Sequence, residues 1–147
     1  MQEWHRDEYT VSTDQTKLDV QAVYAFLGGE SHWAQNIPRD VVERSLRNSL
    51  CFGLYREGAQ VGLARVVSDY ATIAYLGDVY VLQRYRGRGL SKWLMECVLA
   101  HPDLQHLRRW ILITRDAHEL YRRYGFTALK RPEGFMELHE PDIYRRS

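Results

Sequence analysis

From Ile73 to Leu82 the chain is apolar and rich in β-branched and aromatic residues. It then passes through Gln83-Arg-Tyr-Arg-Gly-Arg-Gly-Leu-Ser91 into a pattern of helical period that lasts to Ala100. The first part predicts a largely buried strand. In the last part Leu90, Trp93, Leu94, Cys97 and Val98 recur at i, i+3, i+4, i+7 and i+8, one apolar stripe with Lys92, Met95 and Glu96 off it. A strand, a glycine turn and a helix in immediate succession constrain the backbone strongly. The turn amides and the orphan N–H groups of the first helical turn face one concavity at the positive end of the helix dipole. Arg86, Arg88 and Lys92 surround that point with positive charge. Such an arrangement binds phosphate.

Spacing narrows the choice of phosphate ligand. A Walker loop requires Gly-x-x-x-x-Gly-Lys-Ser/Thr, which the chain lacks, and a dinucleotide fingerprint requires a third glycine where Lys92 stands. The segment Arg86-x-x-Gly89-x-Ser91, after the apolar triplet Val79-Tyr80-Val81, resembles motif A of the GCN5-related N-acetyltransferases, the GNAT family, with Ser91 in place of the last Gly or Ala. A second register, Arg84-x-x-Gly87-x-Gly89, matches literally, but the spacing from the triplet favours Arg86. A strand at Trp110–Thr114 followed by Asp116-Ala-His-Glu-Leu-Tyr-Arg-Arg-Tyr-Gly-Phe126 is similar to motif B of the same family, with its Leu-Tyr-x-x-x-Gly-Phe ending. The resemblance runs from about Cys51 to Leu129, and the first fifty residues share only the general layout.

The resemblance implies an α+β fold: a single GNAT domain spanning residues 1–147, with a mixed, mostly antiparallel central sheet flanked by helices. It implies transfer of an acetyl group from acetyl-CoA to the primary amine of a small molecule or peptide, by direct attack on the thioester and without a metal. Arg86, Gly87, Arg88, Gly89, Leu90, Ser91 and Lys92 would hold the pyrophosphate, with Thr114 a further cofactor contact. The backbone of Val79, Tyr80 and Val81 would pair with the pantetheine arm and direct one amide at the acetyl oxygen. A donor of that kind is worth about 3 kcal/mol at acyl-transfer sites. Tyr121 matches the motif B tyrosine that acts as general acid in many family members. Tyr124 reads as structural and His118 as a surface residue of the helix.

The base is less defined, since the strand before motif B, Arg108-Arg-Trp-Ile-Leu-Ile-Thr114, has no carboxylate. Asp78, beside the triplet, is the substitute, as a base through water or as an anchor for a cationic amine; a strand-end Asp bonding local amides is the plain structural alternative. Trp33, Tyr70 and Tyr80, with Asp69 and Asp78, are candidates for an aromatic and acidic acceptor pocket. A different class, a CoA-binding module of the same fold without turnover, stays open because fold does not fix function.

Composition excludes other classes. The 147 residues make one domain's worth of chain, and the net charge of +1 argues against a generic polyanion binder. The basic clusters at Arg108-Arg109, Arg122-Arg123 and Arg145-Arg146 read as solvated faces, so no nucleic-acid partner is expected. Cys51 and Cys97 read as reduced core residues, and the six histidines and the acids show no metal spacing. No apolar run reaches membrane-span length and no leader follows Met1, so a cytoplasmic protein, monomer or homodimer, is expected.

Elsewhere the pattern predicts a first strand at Tyr9–Ser12 and a helix capped by Thr13 or Asp14 and ended by Gly28-Gly29. A second helix should follow with Pro38 at its first position, then a hairpin from Cys51 to Ser68. Short closing strands are expected at Phe126–Leu129 and Phe135–His139.

Overall fold

The computed structural model describes residues 1–145, so Arg146 of the C-terminal arginine pair lies outside the described residues. Six strands form one sheet in chain order: β1 (Glu3–Arg6), β2 (Tyr9–Ser12), β3 (Leu50–Arg56), β4 (Ala59–Ser68), β5 (Ile73–Val81) and β6 (Arg109–Leu112). Neighbours up to β4–β5 run antiparallel, and β5–β6 is parallel. Helix α3 (Leu90–Ala100) supplies the crossover between that parallel pair. The mixed, mostly antiparallel sheet with flanking helices agrees with the expected fold class.

Period-2 alternation along β3 shows how the helices cover the sheet. Cys51 donates its S–H toward the carbonyl of Leu46 in α2 (Arg39–Arg47), while the next residue, Phe52, meets the His101 ring at the C-terminal end of α3. Successive strand residues face opposite ways, so α2 and α3 lie on opposite faces. Residues Cys51 to Tyr55 are all buried, as a strand covered on both sides requires. Phe52, Leu54, Leu63, Leu76, Leu94 and Met95 are among its fully buried side chains. Met95 therefore joins the apolar stripe, contrary to its expected position off it, because a helix filling the crossover between adjacent strands buries a wider arc than one stripe.

Several local expectations change. β1 went unread because Gln2-Glu-Trp-His-Arg-Asp7 has little strand character of its own; a tight turn with Asp7 at φ 53° folds it back on β2. Asp14 caps only a 3₁₀ turn, Gln15–Lys17, and Asp19 caps helix α1 (Val20–Ala25) by accepting from the Ala22 amide. Gly28-Gly29 does not end that helix: a π-type turn, Phe26–Glu30, runs through both glycines and closes with the Ser31 amide on the Phe26 carbonyl. Pro38 is the cap of α2 rather than its first residue. Among the described residues no strand lies beyond Leu112, so the two closing strands do not form. A strand exists through its ladder to a neighbour and not through apolar alternation, and Met136 and Leu138 are 98% and 100% exposed.

The chain divides into two compact units, one of residues 1–113 and one beginning at Thr114. The second contains α4 (His118–Arg122), where the Thr114 hydroxyl accepts from the Ala117 amide and Gly125, at φ 95°, follows the last turn. No helix among the described residues is long and apolar enough to cross a membrane.

His101 provides a stability test. Its ring is buried at the end of α3, accepts from the Asp103 amide at Nδ1, and burial lowers its pKa from the ordinary 6.5. Below about pH 6.5 the unfolded chain therefore binds the proton more readily than the folded one, and stability falls as pH drops through that window. Thermal melting at pH 7.5 and 5.5 should show this loss in the parent. The loss should be smaller in His101→Asn, which keeps a capping acceptor without the titrating ring.

Candidate active site

The site is assembled within residues 1–113 around the C-terminal end of β5. Leu82 begins the turn, and a 3₁₀ turn, Gln83–Tyr85, leads to Arg86, whose Nε donates to the Val81 carbonyl at 2.8 Å. Gly87 and Gly89 stand at φ 79° and 76°, where glycine avoids the strain of a side chain. Gly89 caps α3 without a side-chain hydrogen bond to the helix. A Cβ at Gly87 or Gly89 would meet nothing within 4 Å, so the concavity above the first turn of α3 is open. Arg88, Gly89 and Lys92 are exposed, Ser91 is half-buried and Leu90 is buried as the first anchor of the helix. The turn thus has the geometry expected of a phosphate cradle.

β5 is irregular where it approaches this turn. Leu63 pairs with Tyr80 but Arg65 pairs with Gly77, so Asp78 and Val79 together oppose Ala64. This extra residue is a β-bulge, and Asp78 takes φ 51° to make it. Gly62 lets the strands close up again beyond it: a Cβ there would sit 2.7 Å from the Tyr80 carbonyl. On its other side β5 pairs with β6 only from Ile73 to Leu76. Among the described residues no strand pairs with β5 on this side from Gly77 to Val81, next to the glycine turn.

Asp78 is held from two directions. Its Oδ2 accepts from Arg65 Nε at 2.7 Å and its Oδ1 from the Trp33 indole Nε1 at 2.8 Å. The Arg65 and Asp78 side chains are 18% and 12% exposed. A non-glycine residue in the left-handed region costs about 1–2 kcal/mol. One charge-assisted bond contributes about 1.5–3 kcal/mol, so the pair of contacts outweighs the strain. Sequence reading missed Arg65, although a single cation inside the apolar run Val61–Val67 signals a buried partner. Arg65 also donates to the Ser49 hydroxyl at 3.1 Å.

Trp33 is carried by the loop after the π-type turn. Ser31 is buried and pins that loop, donating to the Leu27 carbonyl and accepting from the Ala34 amide, while the Asn36 amide returns to Gly28. Trp33 is 44% exposed, with His32 edge-on to its ring at 5.0 Å and Phe26 tilted at 6.2 Å. Phe26 stacks on Tyr80 at 3.8 Å. Tyr80 is only 6% exposed, so its ring presents no open face. Tyr70 is exposed, but its loop, gathered by Asp69 accepting from the Ala71, Thr72 and Ile73 amides, lies before β5 begins. The Thr72 hydroxyl, which also donates to Asp69, and then those amides hold the carboxyl well below its usual range. Trp33, by contrast, reaches β5 at Asp78, about 17 Å along the strand from its start at Ile73 at the usual rise.

In the second unit, Tyr121 is buried with its ring edge-on to Phe126 at 5.9 Å, and burial raises its hydroxyl pKa. Thr114 spends its hydroxyl on the Ala117 amide, as described above. Among the described residues no three His, Cys, Asp or Glu side chains are grouped to hold a metal ion.

Cys51 and Cys97 are both buried, and burial pushes each thiol from 9.0 up to about 12, leaving roughly 10³-fold less thiolate at a given pH. Neither is placed to act as a nucleophile. An aromatic disulfide reagent should titrate both only after denaturant is added; fast labelling of the native protein would contradict this burial.

Comparison with known proteins agrees with this architecture. A model of the acetyltransferase (GNAT) domain matches residues 47–128. A Gibberella zeae protein named as an acetyltransferase is 37% identical, over 82% of this chain and 79% of its own. The crystal structure of a Xanthomonas campestris protein assigned to the GNAT family superposes with a TM-score of 0.91 and 53% identity, covering 92% of this chain and 96% of that one. A GNAT acetyltransferase of Elizabethkingia anophelis, solved with acetyl-CoA bound, shares the fold at a TM-score of 0.63 and 13% identity, covering 94% and 92%. Both the family match and the fold are those of GNAT acetyltransferases. The chain belongs to the GNAT family.

Proposed function

We propose that this protein transfers the acetyl group of acetyl-CoA to a primary amine of a small molecule or peptide, by direct attack of the amine on the thioester. The observation that carries this reading is the juxtaposition of an open amide cradle at Gly87–Ser91 with the free, bulged edge of β5 from Gly77 to Val81. The cradle receives the pyrophosphate, with Arg86, Arg88 and Lys92 supplying charge. The pantetheine arm adds to the edge of β5 as an extra strand, and an amide among Val79–Val81 polarises the acetyl carbonyl. The amine nitrogen attacks that carbon, the carbon–sulfur bond breaks, and the leaving thiolate is protonated; the motif B resemblance gives that donor role to the Tyr121 hydroxyl, which solvent then reprotonates. The attacking nitrogen loses its extra proton to water. Holding both reactants lowers the barrier through proximity, so no covalent enzyme intermediate is required. The half-exposed Trp33 ring offers the acceptor an apolar face suited to an aromatic or cationic amine.

The test is release of free CoA thiol from acetyl-CoA with a panel of polyamines, arylalkylamines, aminoglycosides and lysine peptides, with products identified by mass. Turnover with at least one amine is expected. CoA binding without turnover across the panel would instead make the protein an acyl-CoA-binding module.

A further inference from the structure

We propose that Arg65, Asp78 and Trp33 form a positioning clamp that sets the bend of β5 for acyl transfer and ties the acceptor-side loop to it. The inference rests on the acetyl-transfer reading above. Asp78 is the one non-glycine residue of β5 with a positive φ, and it sits at the bulge where it and Val79 together oppose Ala64 of β4. Aspartate tolerates that conformation less readily than glycine does, and the flanking Gly77 is not the residue that adopts it. Both carboxylate oxygens are committed, one to a guanidinium anchored through Ser49 next to α2, the other to an indole on the loop pinned by Ser31. A carboxylate held in this way, by a guanidinium on one side and an indole on the other, is a mechanical part of the bulge. Because Trp33 both bonds Asp78 and presents its ring face, an acceptor lying on that ring bears on the same carboxylate that holds the bend. The clamp thereby couples acceptor binding to the geometry of the Val79–Val81 amides.

Glycine adopts a φ near +51° unaided, so it can restore the bend without the clamp, whereas alanine can do neither. With the best amine of the panel, Asp78→Ala should lower kcat about 10²-fold, as a displacement near 1 Å does, while CoA affinity stays within a few-fold. Asp78→Gly should recover most of that loss, and Trp33→Phe should lower kcat while raising the acceptor KM. If Asp78→Gly is as slow as Asp78→Ala and both lose the acid limb of the pH–rate profile, Asp78 is a base and the clamp is refuted. An Asp78→Ala variant with altered melting but parental kcat would leave the triad merely structural and also refute it. Should the parent itself show no turnover, the acetyl-transfer reading fails separately, and the clamp is then read by NMR. Perturbation of the Val79 and Tyr80 amides by CoA must survive in Asp78→Gly and be lost in Asp78→Ala; retention in both overturns it.

Discussion

Titration of CoA into the Gly89→Asp variant is expected to give no measurable heat at ligand concentrations that saturate the parent protein, a loss of at least about 10²-fold in affinity. Two effects act together. The new carboxylate stands at the mouth of the first turn of α3, where an incoming pyrophosphate would meet a negative charge in place of open amides. It also fills space that Gly89 leaves empty within 4 Å. The fold should survive, because no neighbour is struck and a non-glycine residue at φ 76° costs only about 1–2 kcal/mol. Aspartate is among the residues that tolerate this conformation, and it is a good helix cap besides. Unchanged affinity in a folded Gly89→Asp protein would remove the assignment of this turn as the cofactor cradle.

Tyr121→Phe is expected to lower kcat by about 10²-fold to 10⁴-fold, the usual contribution of a placed acid or base, with CoA affinity and melting temperature little changed. The ring that meets Phe126 edge-on is retained, so packing within the second unit is preserved. A thiol such as that of CoA has a pKa of roughly 8.5 and an ordinary tyrosine about 10, so donation is uphill. Burial raises the Tyr121 hydroxyl further, which steepens that climb but keeps the proton in place throughout the neutral range. A kcat within a few-fold of the parent would assign Tyr121 to packing alone, and lost affinity at constant kcat would make it a cofactor contact.

These two variants probe features that were readable in the chain for different reasons. The cradle is local: strand, glycines and helix stripe are contiguous, and the backbone rules that shape them act over a few residues. Tyr121 was reached only by resemblance, since nothing in the periodicity of His118–Arg122 distinguishes an acid from a packed ring. The expected acceptor group shows where such reading stopped. Trp33, Tyr70 and Tyr80 were grouped by chemistry, but the fold stacks Tyr80 under Phe26, leaves Tyr70 before the start of β5, and keeps Trp33 at the bulge.

What the sequence by itself determined is what short-range physics controls: the glycine turn, the stripe of α3, the β3–β4 hairpin and a mostly antiparallel sheet. Tertiary structure decided the rest. The polar β1 is a strand because β2 offers a ladder, while the apolar alternation at Met136 and Leu138 is not one. Asp78 is a carboxylate held from two sides because Trp33, 45 positions away, and Arg65, 13 positions away, both reach it. Contacts at such separations are written in no single stretch of chain: they depend on which faces the sheet turns toward each other, and that is settled only when the whole core closes.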